Sequence, residues 1–400
     1  GHLFITHYLN VPSDTTFDFV AGKRNFIERL EQRFPAEKKA IAKYMQLLAK
    51  IGNAMQISTL TKLVPPGVSG WLRPATDFIL PREMNQTTYE VLRNLTSNEE
   101  LIAILCTQWG DYGVPPRQSS FLIHALVARH YLFGGFYPVG GASQFAATII
   151  PTIQAGGGEV FTYASVKEVL IENDKAVGVV MEDGTEIRAP IVISSPGVLN
   201  TFERLVPKAA CKKFGYDTRV KTVKPSCGHL GIYIGLKEDA ESLQLPRTNY
   251  WVYPDFEHDK NFEAFFSGKS SKMPVVYISF PSAKDPTFTK RYPGRATIEI
   301  VAPVPAGEFD PWHDKPWGKR GEDYEALKER YAQQLLEVLY EKVPQVKGKI
   351  DYYEVSTPLS TNYFCAYQYG EVYGLNHDPQ RFSQSWLQVQ TEIPGLYLTG

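Results

Sequence analysis

The chain has 400 residues, 43% of them hydrophobic and 21% charged, with a formal net charge of −1. That length exceeds what one ordinary core organises, and that composition excludes a largely disordered chain, so two or more connected domains are expected. The near-zero charge, without an isolated run of Lys or Arg, excludes the electrostatic footprint of a nucleic-acid binder.

From Gly22 to Leu48 the apolar residues Phe26, Ile27, Leu30, Phe34, Ile41, Tyr44, Leu47 and Leu48 recur at helical spacing around Pro35, which predicts two amphipathic helices. Pro65-Pro66-Gly67 marks a loop, and helical spacing resumes over Thr88 to Cys106, with a cap at Ser97-Asn98 before Glu99-Glu100. The longest apolar stretch, Phe121 to Phe136, is broken by His124, Arg129 and His130, short of the roughly 18 apolar residues of a membrane span. After the turn Tyr137-Pro138-Val139-Gly140-Gly141, Ala142 to Gln154 reads as a helix ended by Gly156-Gly157-Gly158.

Strands are predicted at Glu159 to Phe161, Val166 to Ile171, Ala176 to Met181, Thr185 to Arg188 and Ile191 to Ser194, with Asp183-Gly184 as a hairpin turn. The continuously apolar Ile191-Val192-Ile193 suits a parallel strand covered on both faces. That arrangement predicts a core of Val160, Val166, Val169, Val177, Val179, Ile191 and Ile193 under the helix from Ala142 to Gln154, with Ile193→Asp disruptive. Further strands follow at His229 to Leu236, Asn249 to Tyr253, Val275 to Phe280 and Ala296 to Val301, then a helix over Asp323 to Tyr340. The chain opens on Gly1 and closes on Gly400 just after the strand-like Gly395-Leu396-Tyr397-Leu398-Thr399, so both ends read as cut.

The motifs that would signal hydrolysis or metal chemistry are missing: no H-E-x-x-H helix, no G-x-S-x-G elbow, no Walker loop and no C-x-x-C pair. Cys106, Cys211, Cys227 and Cys365 read as ordinary thiols, and His124 and His130 as packed or surface residues rather than ligands. Gly156 and Gly158 have dinucleotide-fingerprint spacing, but Phe161 takes the third glycine position and the run follows a helix, so the phosphate-gripping turn is not in these 400 residues.

A helix, a meander and a buried strand ending in Ser194-Ser195-Pro196-Gly197 resemble the flavoprotein superfamily of amine oxidases and phytoene desaturases. Closer still, Trp109-Gly110-Asp111-Tyr112-Gly113-Val114-Pro115-Pro116, His124-Ala125-Leu126, Phe136 to Ser143, Phe280 to Pro286, Gly321 to Tyr324 and Tyr373 to Asp378 resemble the retinol saturase and carotenoid isomerase family. The resemblance implies an α/β fold of amine-oxidase type. An incomplete, discontinuous FAD-binding Rossmann-like domain would occupy 134–207 and 393–400. A mixed-sheet and helical substrate domain would be built from 1–133 and 208–392. It further implies a FAD-dependent oxidoreductase saturating a carbon–carbon double bond of a retinoid- or carotenoid-like polyene, with NAD(P)H as a candidate electron donor. A cis–trans isomerase or desaturase on the same flavin site is the alternative, and a non-catalytic apolar-ligand carrier a distant third. Family membership would also imply peripheral membrane contact, at the endoplasmic reticulum for a retinol saturase and otherwise at a cytoplasmic or plastid membrane surface.

In that superfamily the residue matching Val166 presents its backbone to the adenine end of FAD; Gly197, Thr399 and Gly400 would approach the flavin because small residues admit a close backbone. A polyene offers few polar handles, so its pocket should be apolar and aromatic. Tyr137 is one candidate wall residue, and Tyr363, Tyr367 and Tyr369 share a face of a predicted strand with Cys365, either as tunnel wall or as a sheet face under a helix. Saturation also needs a proton donor. No acid stands out; Asp111, Tyr112 and His124 are the candidates nearest the distinctive motif.

Overall fold

The computed structural model describes residues 5–9, 15–62 and 81–399. The described residues 23–62 and 82–131 are mainly helical, as their periodicity predicts. Helices Lys23–Arg33 and Lys38–Lys62 break at Phe34-Pro35, where proline offers no N–H to continue the ladder. Thr87 and Glu90 form a capping box at Thr88–Arg93, Asn98 caps Glu99–Cys106, and Ser120 caps Phe121–Tyr131, each satisfying amides that a helix start leaves open. Leu30, Ile41, Tyr44, Leu48, Trp109 and Phe121 form one buried core with Phe17 and Phe19.

Among the described residues twelve strands follow in chain order: β1 (Ile5–Leu9), β2 (Thr15–Phe19), β3 (Val166–Glu172), β4 (Lys175–Met181), β5 (Glu186–Arg188), β6 (Val192–Ser194), β7 (Gly228–Leu236), β8 (Asn249–Tyr253), β9 (Val276–Ser279), β10 (Ala296–Val304), β11 (Ile350–Ser356) and β12 (Leu396–Leu398). Seven form a mixed sheet in the order β11-β7-β10-β9-β8-β1-β2, so a strand from the extreme N-terminal part lies parallel to β8. One face is aliphatic: Leu230, Ile232, Ile234, Ile278, Ile298 and Ile300 pack with Leu327, Leu335 and Leu339 of the helix Glu322–Lys342. Because side chains alternate across a strand, the intervening residues form a second face. That face carries the site described below.

The remaining strands make two small sheets, a β3-β4-β5 meander turned at Asp183-Gly184 and a parallel β12-β6 pair. Here three sequence expectations fail. Glu159 to Phe161 is irregular rather than a strand. The helix Ser143–Ala155 buries none of its residues, leaving Phe145 61% and Ile149 54% exposed, and Ile193 is 64% exposed, with Val160 and Ile191 also exposed. Among the described residues no element covers that face, so apolar sequence does not become buried core. The core forms on the opposite side: Val169 and Ala176 pack with Leu199, Phe202, Tyr216, Ile393 and Leu396, while Val177 and Val179 are only half-buried.

Candidate active site

The second face of the large sheet meets the turn Thr107–Asp111 across a cavity of about 180 Å³. The register sets its floor. Trp251 on β8 pairs with Tyr277 on β9, Tyr277 pairs with Val301 on β10, and Pro303 pairs with His229 on β7. Trp109, Gly110, Asp111, Gly113, Cys227 and Tyr373 close the rest of the wall. Tyr373 donates its hydroxyl proton to the Gly110 carbonyl at 2.6 Å, Cys227 Sγ lies 3.5 Å from the Gly113 carbonyl, and His377 Nδ1 lies 3.2 Å from the Tyr112 carbonyl. The C-terminal stretch therefore pins the distinctive Trp109–Gly113 turn onto the sheet. Gly110 is required there by packing: a Cβ would lie 2.0 Å from Cζ3 of Trp251.

The cavity is nearly free of charge. Burial lowers His229 below the ordinary imidazole range and pushes the Cys227 thiol up to about 12. Burial also lifts Asp111 to about 7, against a smaller opposing effect of the Tyr131 hydroxyl, which donates to Asp111 Oδ1 at 3.1 Å. Asp111 Oδ2 is shielded from solvent and has no hydrogen-bond partner. The Trp109 indole N–H and His229 Nδ1 are likewise shielded and unpartnered.

Of the catalytic candidates from sequence, Asp111 alone stands in this wall. Tyr112 and His124 form a buried relay behind it: Tyr44 Oη lies 3.0 Å from His124 Nε2, and Tyr112 Oη lies 3.3 Å from His124 Nδ1. Burial drives His124 down to about 3, so it is a neutral core residue cross-linking three helical segments. Tyr137 lies outside the wall, its ring 5.8 Å from Lys284 Nζ. Burial lowers that lysine to about 8, and it donates to Ser279 Oγ at 2.7 Å and to Asn249. Asp285 accepts from the Gly140 amide at 3.1 Å and from the Thr287 hydroxyl at 2.8 Å and pairs with Arg291, latching the glycine turn to the segment that follows β9.

The tyrosine strand is a correction. Residues Pro358–Cys365 form a helix, started by Thr357 and Ser360 as a capping box with proline at the first helical position. Tyr363 is consequently 55% exposed and stacks on Trp317 at 4.8 Å. Tyr369 donates to Glu203 Oε2 at 3.2 Å, and Tyr367 approaches Gly197. None of the three lines the cavity. Sequence reasoning passed over Cys227, His229, Trp251, Tyr277, Val301 and Pro303; the signal was the period-2 alternation of the four strands, with aliphatics on one face and larger or polar groups on the other.

Val166 opens β3, and Gly197, at φ 90°, precedes the short helical stretch whose Thr201 amide donates to the Gly197 carbonyl at 3.0 Å. Thr201 Oγ1 also lies 2.7 Å from Ser194 Oγ, and the Thr399 amide donates to the Ser194 carbonyl at 3.0 Å, so Ser194, Gly197 and Thr399 gather at the carboxyl ends of β6 and β12. Gly400 lies outside the described residues.

No family model matches the chain. It is 36% identical over 401 aligned positions to an all-trans-retinol 13,14-reductase of Rattus norvegicus, covering 96% of this chain and 66% of that protein. A chloroplastic prolycopene isomerase of Daucus carota is 26% identical over 99% of this chain and 62% of its own length. The chain thus spans just under two thirds of the length of these relatives. Among solved structures, a putrescine oxidase with putrescine bound superposes with a TM-score of 0.57 at 12% identity, over 100% of this chain and 75% of that one, which shows a shared amine-oxidase-type fold. By sequence, the chain belongs to the family of all-trans-retinol 13,14-reductases and their prolycopene isomerase and phytoene desaturase relatives.

Proposed function

We propose that the protein is a FAD-dependent oxidoreductase that saturates one carbon–carbon double bond of a retinoid- or carotenoid-like polyene. The observation that carries this reading is the cavity wall: Trp109, Trp251, Tyr277, Val301, Pro303 and Tyr373 give an apolar, aromatic surface without a fixed charge, which suits a hydrocarbon chain and not a polar metabolite. At about 180 Å³ the cavity is smaller than the roughly 300–1,000 Å³ of typical ligand clefts, so it receives the reacting part of an elongated molecule.

The residues present suit part of a flavin nucleotide, and the glycine turn that grips the pyrophosphate is not among them. Ser194, Gly197 and Thr399 stand at the carboxyl ends of parallel strands, where ligands of open α/β sheets bind, and the positive φ of Gly197 leaves its backbone free of a side chain. Val166 would present backbone to the adenine end, and Thr399 would approach the flavin. Bound there, the flavin supplies the hydride that an alkene cannot obtain from side chains. The chain's own part is to hold the polyene against the Trp251–Tyr277–Val301 row and to exclude water. This reading assigns 134–207 and 393–400 to the flavin domain and 1–133 and 208–392 to the substrate domain, with NAD(P)H as the electron donor. Among the described residues no helix is long and apolar enough to cross a membrane; the exposed Trp317, Tyr363 and Phe364 support peripheral contact with a membrane surface.

The isomerase reading draws its support from the carrot relative. Product mass separates the two. The full-length, flavin-reduced protein should raise the mass of a polyene such as all-trans-retinol by about 2 mass units. Unchanged mass with altered geometry would favour the isomerase, and turnover of only a small polar enone would overturn both.

A further inference from the structure

We infer that Asp111 is the proton donor of the reaction, its carboxyl group carrying in the cavity wall the proton that the second alkene carbon receives. This rests on the saturase reading above. Three observations converge on it. Asp111 is the carboxyl residue of the wall, placed there by the Thr107–Asp111 turn that Tyr373 pins through Gly110. Its Oδ1 is anchored by the Tyr131 hydroxyl at 3.1 Å, which fixes the rotamer, while Oδ2 is shielded from solvent and satisfied by nothing on the protein. A buried carboxylate oxygen without a donor is costly, whereas a protonated one is less so.

The surroundings keep the proton on. The titratable groups near enough to feel the charge of Asp111 are Tyr131 from the helix Phe121–Tyr131, Tyr112 next to it in the chain, Tyr253 from β8, Tyr277 from β9 and Tyr373 from the C-terminal stretch. His229 and Cys227 complete the wall. Burial holds every tyrosine and the thiol above its ordinary range and the imidazole below it, so near neutral pH each is uncharged and no cation among them stabilises a carboxylate. Desolvation accordingly lifts Asp111 to about 7, near the working pH at which a general acid is most effective.

The step balances. The π bond of the alkene opens and two C–H bonds form, one with a hydride from reduced flavin and one with the proton of Asp111. The O–H bond of Asp111 breaks, its electron pair stays on the carboxylate, and the carboxylate regains a proton from solvent before the next turnover. The flavin is the oxidised product. His229, whose Nδ1 is also unpartnered, is the competitor for this role.

The test uses the full-length, flavin-loaded protein as wild type and as Asp111→Asn and Asp111→Glu. Wild-type turnover of all-trans-retinol should fall with rising pH through a midpoint near 7. Asp111→Asn should lose about a hundredfold or more and with it that midpoint, while Asp111→Glu retains turnover with the midpoint displaced. Independently of turnover, infrared difference spectra of the flavin-free chain should show a protonated-carboxyl stretch titrating near 7 in wild type and missing from Asp111→Asn. An asparagine variant that turns over at the wild-type rate with the wild-type pH profile, or one that keeps the carboxyl band, overturns the assignment. Should Asp111→Asn fail to fold, Asp111→Glu decides: a displaced midpoint supports the assignment, an unchanged profile overturns it. A wild-type protein that leaves the polyene mass unchanged refutes the saturase reading instead, and Asp111 falls with it.

Discussion

At the scale of single residues, Asp111 and His124 are titratable groups buried within a few ångströms of the same turn, and they couple stability to pH in opposite directions. Asp111 is raised to about 7 in the fold, so between its unfolded value near 4 and pH 7 the native state binds more protons than the unfolded chain, and stability falls as pH rises through that window. Replacing it with asparagine should therefore raise the melting temperature at pH 8 relative to wild type, by a stabilisation of up to a few kcal/mol, and do little at pH 4. Equal effects at both pH values would contradict a neutral, desolvated Asp111. His124 is held near 3, so it contributes stability above its unfolded value near 6.5 that is lost as pH falls toward 3. His124→Phe should strand the Tyr44 and Tyr112 hydroxyls and cost about 2–5 kcal/mol in chemical denaturation at pH 7. A cost under 1 kcal/mol would show that the relay is not what joins those segments. His124 was legible in the sequence as a packed histidine; that Asp111 and not Tyr112 faces the cavity was not, because adjacent residues of one turn point to different sides and sequence spacing does not say which.

The elements show the same division between local and long-range information. Asn249–Tyr253 lies where alternation and flanking turn residues put it, and Asn98 caps its helix as the Asn-Glu-Glu pattern requires. The strand β11 and the helix Pro358–Cys365 were not read, the latter because Thr357-Pro358 opens a helix whose aromatic content resembles a strand. Pairing between strands far apart in sequence is what builds the cavity floor, and no local pattern sets the register of Trp251 with Tyr277 or of His229 with Pro303. Gly110 ties the turn to that floor. Gly110→Ala would drive a methyl group into the Trp251 ring, so the indole must move into the cavity. The variant should fold with a loss of about 1–3 kcal/mol and bind an apolar fluorescent polyene more weakly; unchanged affinity would place the polyene elsewhere.

On the scale of the whole molecule, the large sheet is flanked by two buried cores, whereas the segment 134–207 carries an apolar face that nothing among the described residues covers. Hydrophobic sequence at Ile191 and Ile193 was therefore a correct reading of a face and an incorrect reading of burial. In the 400-residue chain Ile193→Asp should shift stability by less than about 1 kcal/mol, as surface substitutions do; a drop of several kcal/mol in its thermal melt would show that this strand is covered in solution. The retinol-reductase relatives and the uncharged aromatic cavity lead to one central claim, that both hydrogens of a saturated polyene bond are delivered here, one as hydride and one from the protein wall. A single turnover of all-trans-retinol by the full-length, pre-reduced protein in D₂O tests it most directly. The account predicts a product heavier by about 4 mass units, with two carbon-bound deuteriums across a single former double bond, because the transferable N–H of reduced flavin and the carboxyl proton both exchange with solvent. Retinol recovered at unchanged mass, or isomerised without added hydrogen, would contradict it.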